Sequence, residues 1–83
     1  MAELTGYEFL CVSDVQRDGV GVELWNATEL LAEIFRSDCN KVVSVSTFNN
    51  DIQKSVFMDF LAYARRKLVE YEDGTKIDWN SNI

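Results

Sequence analysis

The chain has 83 residues, 47% of them hydrophobic, with no proline, no histidine and a formal net charge of −6. That length holds one small core, and the acidic balance works against nucleic acid and anionic membranes as partners. Without histidine, the one side chain whose ordinary pKa lies between pH 5 and 8 is missing, and no apolar run approaches the roughly 20 residues that span a bilayer.

The charge is placed unevenly. Residues 1–40 carry eight acidic side chains against Arg17 and Arg36, whereas residues 41–83 carry six of each sign. One side of the fold is therefore expected to be negative and to steer cationic partners. The start, Met-Ala-Glu-Leu-Thr, lacks the basic and apolar regions of a secretory signal, so the chain reads as cytoplasmic. Cys11 and Cys39 have neither a Cys-x-x-Cys pattern nor a histidine to complete a metal site. They read as two free thiols in a reducing compartment, with no metal or cofactor expected.

Residues 1–6 read as a loose leader. Tyr7–Val15 is rich in aromatic and β-branched side chains and predicts a strand, Gln16-Arg-Asp-Gly19 a turn, and Val20–Trp25 a second strand. The second strand alternates, with Val20, Val22 and Leu24 on one face and Gly21, Glu23 and Trp25 on the other. A three-residue loop of Arg17-Asp18-Gly19 turns Tyr7, Phe9 and Cys11 outward and is preferred for its Asp-Gly chemistry. A four-residue loop including Gln16 instead exposes Leu10 and Val12 between Glu8 and Asp14.

Asn26 predicts the start of a helix, as an N-cap with Glu29 in capping-box position and Trp25 placed to staple against Leu30. Leu30, Leu31, Ile34 and Phe35 supply its apolar stripe, and Ser37–Asn40 its exit loop. Val42–Phe48 alternates as a third strand. A second helix is expected from Asn50, with Gln53 completing its cap, an apolar face from Ile52 through Phe60 to Leu68 and Tyr71, and Gly74 as its stop. Thr75–Ile83 reads as either a frayed tail or a short added strand.

The expected architecture is a single α+β domain over residues 1–83, of order ββαβα. Its three-stranded antiparallel sheet has the order 2-1-3, and both helices lie on one face. The other face is left open unless the tail covers it through Ile77 and Trp79. An aromatic and acidic sheet face of this kind marks a partner site. The residues expected to form it are Glu8, Glu23, Trp25 and either Phe9 or Leu10 according to register, with Glu29 and Glu33 extending the negative surface. Met58, Ala62, Arg65 and Val69 form a separate stripe on the second helix that would suit a homodimer contact. Glu29 and Glu33, at i and i+4, could also serve acid/base chemistry, although no residues beside them complete a catalytic set.

These features point to a non-catalytic protein-binding domain. Its partner would be another protein with a basic surface, and an inhibitor of the immunity or antitoxin kind is one form it could take. The alternatives are a self-associating structural module and, more weakly, a small carboxylate-dependent enzyme. Neither nucleic acid nor membrane is expected as a partner.

Overall fold

The computed structural model describes residues 6–48 and 51–82. Strands β1 (Glu8–Asp14), β2 (Gly19–Trp25), β3 (Leu30–Ser37) and β4 (Val42–Thr47) are followed by helices α1 (Lys54–Lys67) and α2 (Trp79–Asn82). The strands form one antiparallel sheet in the order β1-β2-β3-β4, so every connection between them is a hairpin. This replaces the expected three-stranded sheet of order 2-1-3 with two helices on one face. The sheet has four strands, and a single long helix covers it.

The correction centres on Asn26. Its side-chain Oδ1 accepts the backbone N–H groups of Thr28 and Glu29, both at 2.8 Å, as a helix cap does. However, the Asn26 N–H also bonds the Glu29 carbonyl at 3.0 Å, which closes a tight turn instead of opening a helix. The chain then returns beside β2, with Trp25 paired to Leu30 and a bulge between Leu24 and Trp25. Leu31 to Phe35 are all buried, because β3 is an inner strand covered on both sides. Burial on both faces erases the period-two signal and leaves an apolar run that mimics a helical stripe.

The first hairpin has a four-residue loop, Val15–Asp18, with Asp14 paired to Gly19. Asp18, not Gly19, takes the left-handed conformation (φ 54°), and Asp14 Oδ1 accepts the Arg17 N–H at 3.1 Å. Phe9, Cys11 and Ser13 therefore pair with Leu24, Val22 and Val20, while Leu10 and Val12 take the opposite face. The preferred three-residue register is corrected, and with it the outward placement of Phe9. The β3–β4 loop ends in the same way, with Lys41 at φ 54°.

The core lies between the helix-side face of the sheet (Val22, Leu24, Ala32, Ile34, Val43) and Val56, Phe60 and Ala64 of α1. Phe9 packs its ring 5.7 Å from Phe60 and 5.2 Å from Tyr63. The helix begins after Gln53, which makes no side-chain cap, and the expected cap Asn50 lies outside the described residues. It ends at Lys67, earlier than the apolar spacing suggests, yet Leu68 and Tyr71 remain buried. Gly74 (φ 91°) does not stop the helix. It turns the chain at residues 71–75, where Tyr71 N–H bonds Thr75 O at 2.8 Å. The chain then runs back antiparallel, burying Ile77 and setting the Trp79 indole N–H on the Leu68 carbonyl at 3.0 Å. Ile77 and Trp79 thus join the core on the helix side of the sheet, not the open face. Among the described residues no helix is long and apolar enough to cross a membrane.

Candidate functional site: the sheet face opposite the helix

Strand alternation places Glu8, Leu10, Val12 and Asp14 of β1 on the face turned away from α1. Gly19, Gly21, Glu23 and Trp25 of β2 share it, as do Glu33, Phe35 and Ser37 of β3 and Val42, Ser44 and Ser46 of β4. Among the described residues no secondary-structure element covers this face. Leu10 and Val12 are 38% and 42% exposed, next to one another along the β1 edge.

The middle of the face is closed by one side chain from the first loop. Arg17 lays its guanidinium across β3, donating to Glu33 Oε1 at 3.0 Å and Oε2 at 2.7 Å, with its central carbon 4.0 Å from the centre of the Phe35 ring. Its Nε bonds Asp14 Oδ2 at 2.5 Å. Hydrogen bonding to Glu33 and then to Asp14 raises the Arg17 pKa, and the bond from Arg17 lowers that of Asp14. Under this strap Glu33 is 8% and Phe35 7% exposed. Gly19 and Gly21 make the room: a Cβ on Gly21 would sit 2.7 Å from Glu33 Oε2, and one on Gly19 only 2.0 Å from the Arg36 carbonyl.

Glu23 stands directly across from Glu33, and like charges so placed repel. Arg17 neutralises Glu33. Glu23 instead accepts the Trp25 indole N–H at 2.8 Å. Trp25 thus ends β2 braced on a carboxylate, and its expected role as the staple of a first helix is withdrawn together with that helix.

Of the seven residues expected at a partner surface, five share this face: Glu8, Leu10, Glu23, Trp25 and Glu33. Phe9 is turned to the core, and Glu29 sits exposed at the tip of the β2–β3 turn. The i, i+4 placement of Glu29 and Glu33 existed only in a helix, so the juxtaposition that suggested paired-carboxylate chemistry is absent. Both Glu33 oxygens are engaged by Arg17. Met58, Ala62 and Arg65 are exposed on α1, whereas Val69 lies two residues beyond its end, so the expected four-residue helix stripe is shortened to three; Met58 and Val69 are each about half exposed.

Arg17, Phe35 and the glycine pair were not singled out from the sequence. Two glycines at alternate positions of a strand were the available signal, since they leave space on one face for large neighbours. At the far end of the sheet, carboxylate oxygens of Asp18, Asp38 and Glu72 lie within 4.8 Å of one another. Asp38 already accepts from Arg36 Nη2 at 2.9 Å and from the Glu72 N–H at 2.9 Å, so this group brackets the tail to β3. Cys11 and Cys39 are free and exposed.

Comparison of the chain with protein-family models, with curated proteins and with solved structures finds no match.

Proposed function

We propose that the chain is a non-catalytic protein-binding domain that docks a partner with a basic surface on the sheet face opposite α1. The observation carrying this reading is the composition of that face. Exposed Leu10 and Val12 lie among Glu8, Asp14, Glu23 and Glu33, with Arg17 as the one cation on the described part of it. Exposed apolar groups rimmed by a net negative charge suit protein association, the apolar part holding the complex and the rim setting encounter. An inhibitor that covers a basic site on another protein is the form of activity this surface favours.

A second reading is a homodimer through the α1 stripe, supported by the exposure of Met58, Ala62 and Arg65 along the helix and of Val69 just past its end. One experiment separates the two. Immobilised wild-type protein and its Leu10→Asp and Met58→Asp variants are compared for capture of partners from the native cell, at low salt and at about 0.5 M salt. The proposal expects a captured protein that is lost with Leu10→Asp, retained with Met58→Asp and weakened by salt. Capture that is indifferent to Leu10→Asp contradicts it. Self-association abolished by Met58→Asp supports the second reading.

A further inference from the structure

Two segments of the uncovered face share one plan. Glu33 and Phe35 stand two residues apart on β3, and so do Glu23 and Trp25 on β2, which sends all four side chains to the same side. The antiparallel register sets Glu23 against Glu33, so the two carboxylate–aromatic pairs run outward in opposite directions from that point. The β3 pair is filled. Arg17 bonds both oxygens of Glu33 and stacks on Phe35. In the β2 pair the Glu23 carboxylate accepts from the Trp25 indole, and among the described residues no cation pairs with it.

We infer that Glu23 and Trp25 form the seat for an arginine side chain of the protein partner, an inference that rests on the reading of this face as a docking surface. Charge supports it first. The one guanidinium on this face is shared by Asp14 and Glu33, which leaves Glu23, across from the neutralised Glu33, with no cation among the described residues. Chemistry supports it next, because a guanidinium matches a carboxylate with parallel N–H groups and stacks on an aromatic ring, which a lysine ammonium does less well. Tryptophan is also the best of the aromatic rings for a cation. The surroundings suit the rest of the side chain: Leu10 is the cross-strand neighbour of Glu23 and Glu8 that of Trp25, an apolar surface for the stem and an acidic rim.

The test uses ethylguanidinium as the probe and ethylammonium as its control, followed by the two indole N–H signals in proton–nitrogen NMR spectra. Trp25→Phe assigns which signal is Trp25 and which Trp79. Ethylguanidinium should move the Trp25 signal saturably, with a dissociation constant in the roughly millimolar range expected of so small a ligand. Ethylammonium should bind several-fold more weakly, Glu23→Gln should abolish saturation, and the Trp79 signal should stay in place. Arg17→Ala calibrates the method by emptying the Glu33–Phe35 pair, where the probe should then also bind. A probe that binds there but not at Glu23, or that moves Trp25 equally in Glu23→Gln, overturns the inference.

The two readings fail separately. A partner that is lost with Leu10→Asp but kept at full affinity by Glu23→Gln leaves the docking face standing without its arginine seat. Saturable ethylguanidinium binding with no Leu10-dependent partner leaves the seat standing without the docking face.

Discussion

Gly21 of β2 stands directly opposite Phe35 of β3, and the space a side chain would take at Gly21 is filled by the Glu33 carboxylate and the Phe35 ring. Gly19, one step along the same face, is tighter still, since a Cβ there meets the Arg36 backbone carbonyl at 2.0 Å and Phe35 Cζ at 2.6 Å. A side chain end can move aside, but a carbonyl held in a sheet cannot without disturbing the strand. Gly19→Ala should therefore cost about 3 kcal/mol and Gly21→Ala about 1–2 kcal/mol, as overpacking of a closed site does. Urea unfolding of both variants checks the order, and equal costs would mean the face is looser than described.

Removing Arg17 leaves Glu33 without its partner and directly across from Glu23. Breaking a buried pair costs about 3–5 kcal/mol, but the Arg17 side chain is half exposed, so the expected loss for Arg17→Ala is nearer 1–2 kcal/mol. Adding Glu33→Gln should recover part of it, because the variant removes both the orphaned charge and its repulsion with Glu23. A double-mutant cycle measures the coupling, and strict additivity would show that the strap carries no energy.

Stability should fall in acid. The Arg17 hydrogen bond lowers the Asp14 pKa, and the Lys41 hydrogen bond lowers that of Asp73, both from an ordinary value of 3.8. A carboxylate whose folded pKa is depressed contributes stability above its unfolded value and loses it as pH falls through the folded one. The urea midpoint should thus be flat with respect to these groups above that ordinary value and decline below it. Asp14→Asn and Asp73→Asn should each make the decline shallower. An acid limb unchanged in the double variant would show that these bonds do not form in solution.

Phe60 is fully buried, with the rings of Phe9 and Phe57 5.7 and 6.0 Å away. Phe60→Ala should destabilise the fold by about 3–5 kcal/mol, read from the same unfolding curves. A cost below about 1 kcal/mol would mean that α1 does not pack on this side of the sheet.

What was legible in the sequence follows from which signals are local. The alternation of Val20, Val22 and Leu24 reports a strand covered on one face, and the apolar spacing of Val56, Phe60 and Ala64 reports a helix on a core. Both survive in the structure. Asn26 offers the same two hydrogen bonds to a helix and to a tight turn, so only the course of the chain after Glu29 distinguishes them. Leu31–Phe35, buried on both sides, has no period to read. The site was legible where it depends on β2 alone, as with Glu23 and Trp25. It was hidden where register and a loop side chain decide it, as with Arg17 crossing to Glu33 and Phe35.

Docking of a basic protein partner on the sheet face opposite α1 can be read residue by residue. Methyl NMR of the labelled chain with the captured partner checks this docking, by following Leu10 and Val12 on that face against Met58 on α1 and Val69 just past its end. Docking on this face should perturb Leu10 and Val12, together with the Trp25 indole, while Met58 and Val69 stay in place. Perturbation confined to Met58 and Val69 would contradict it.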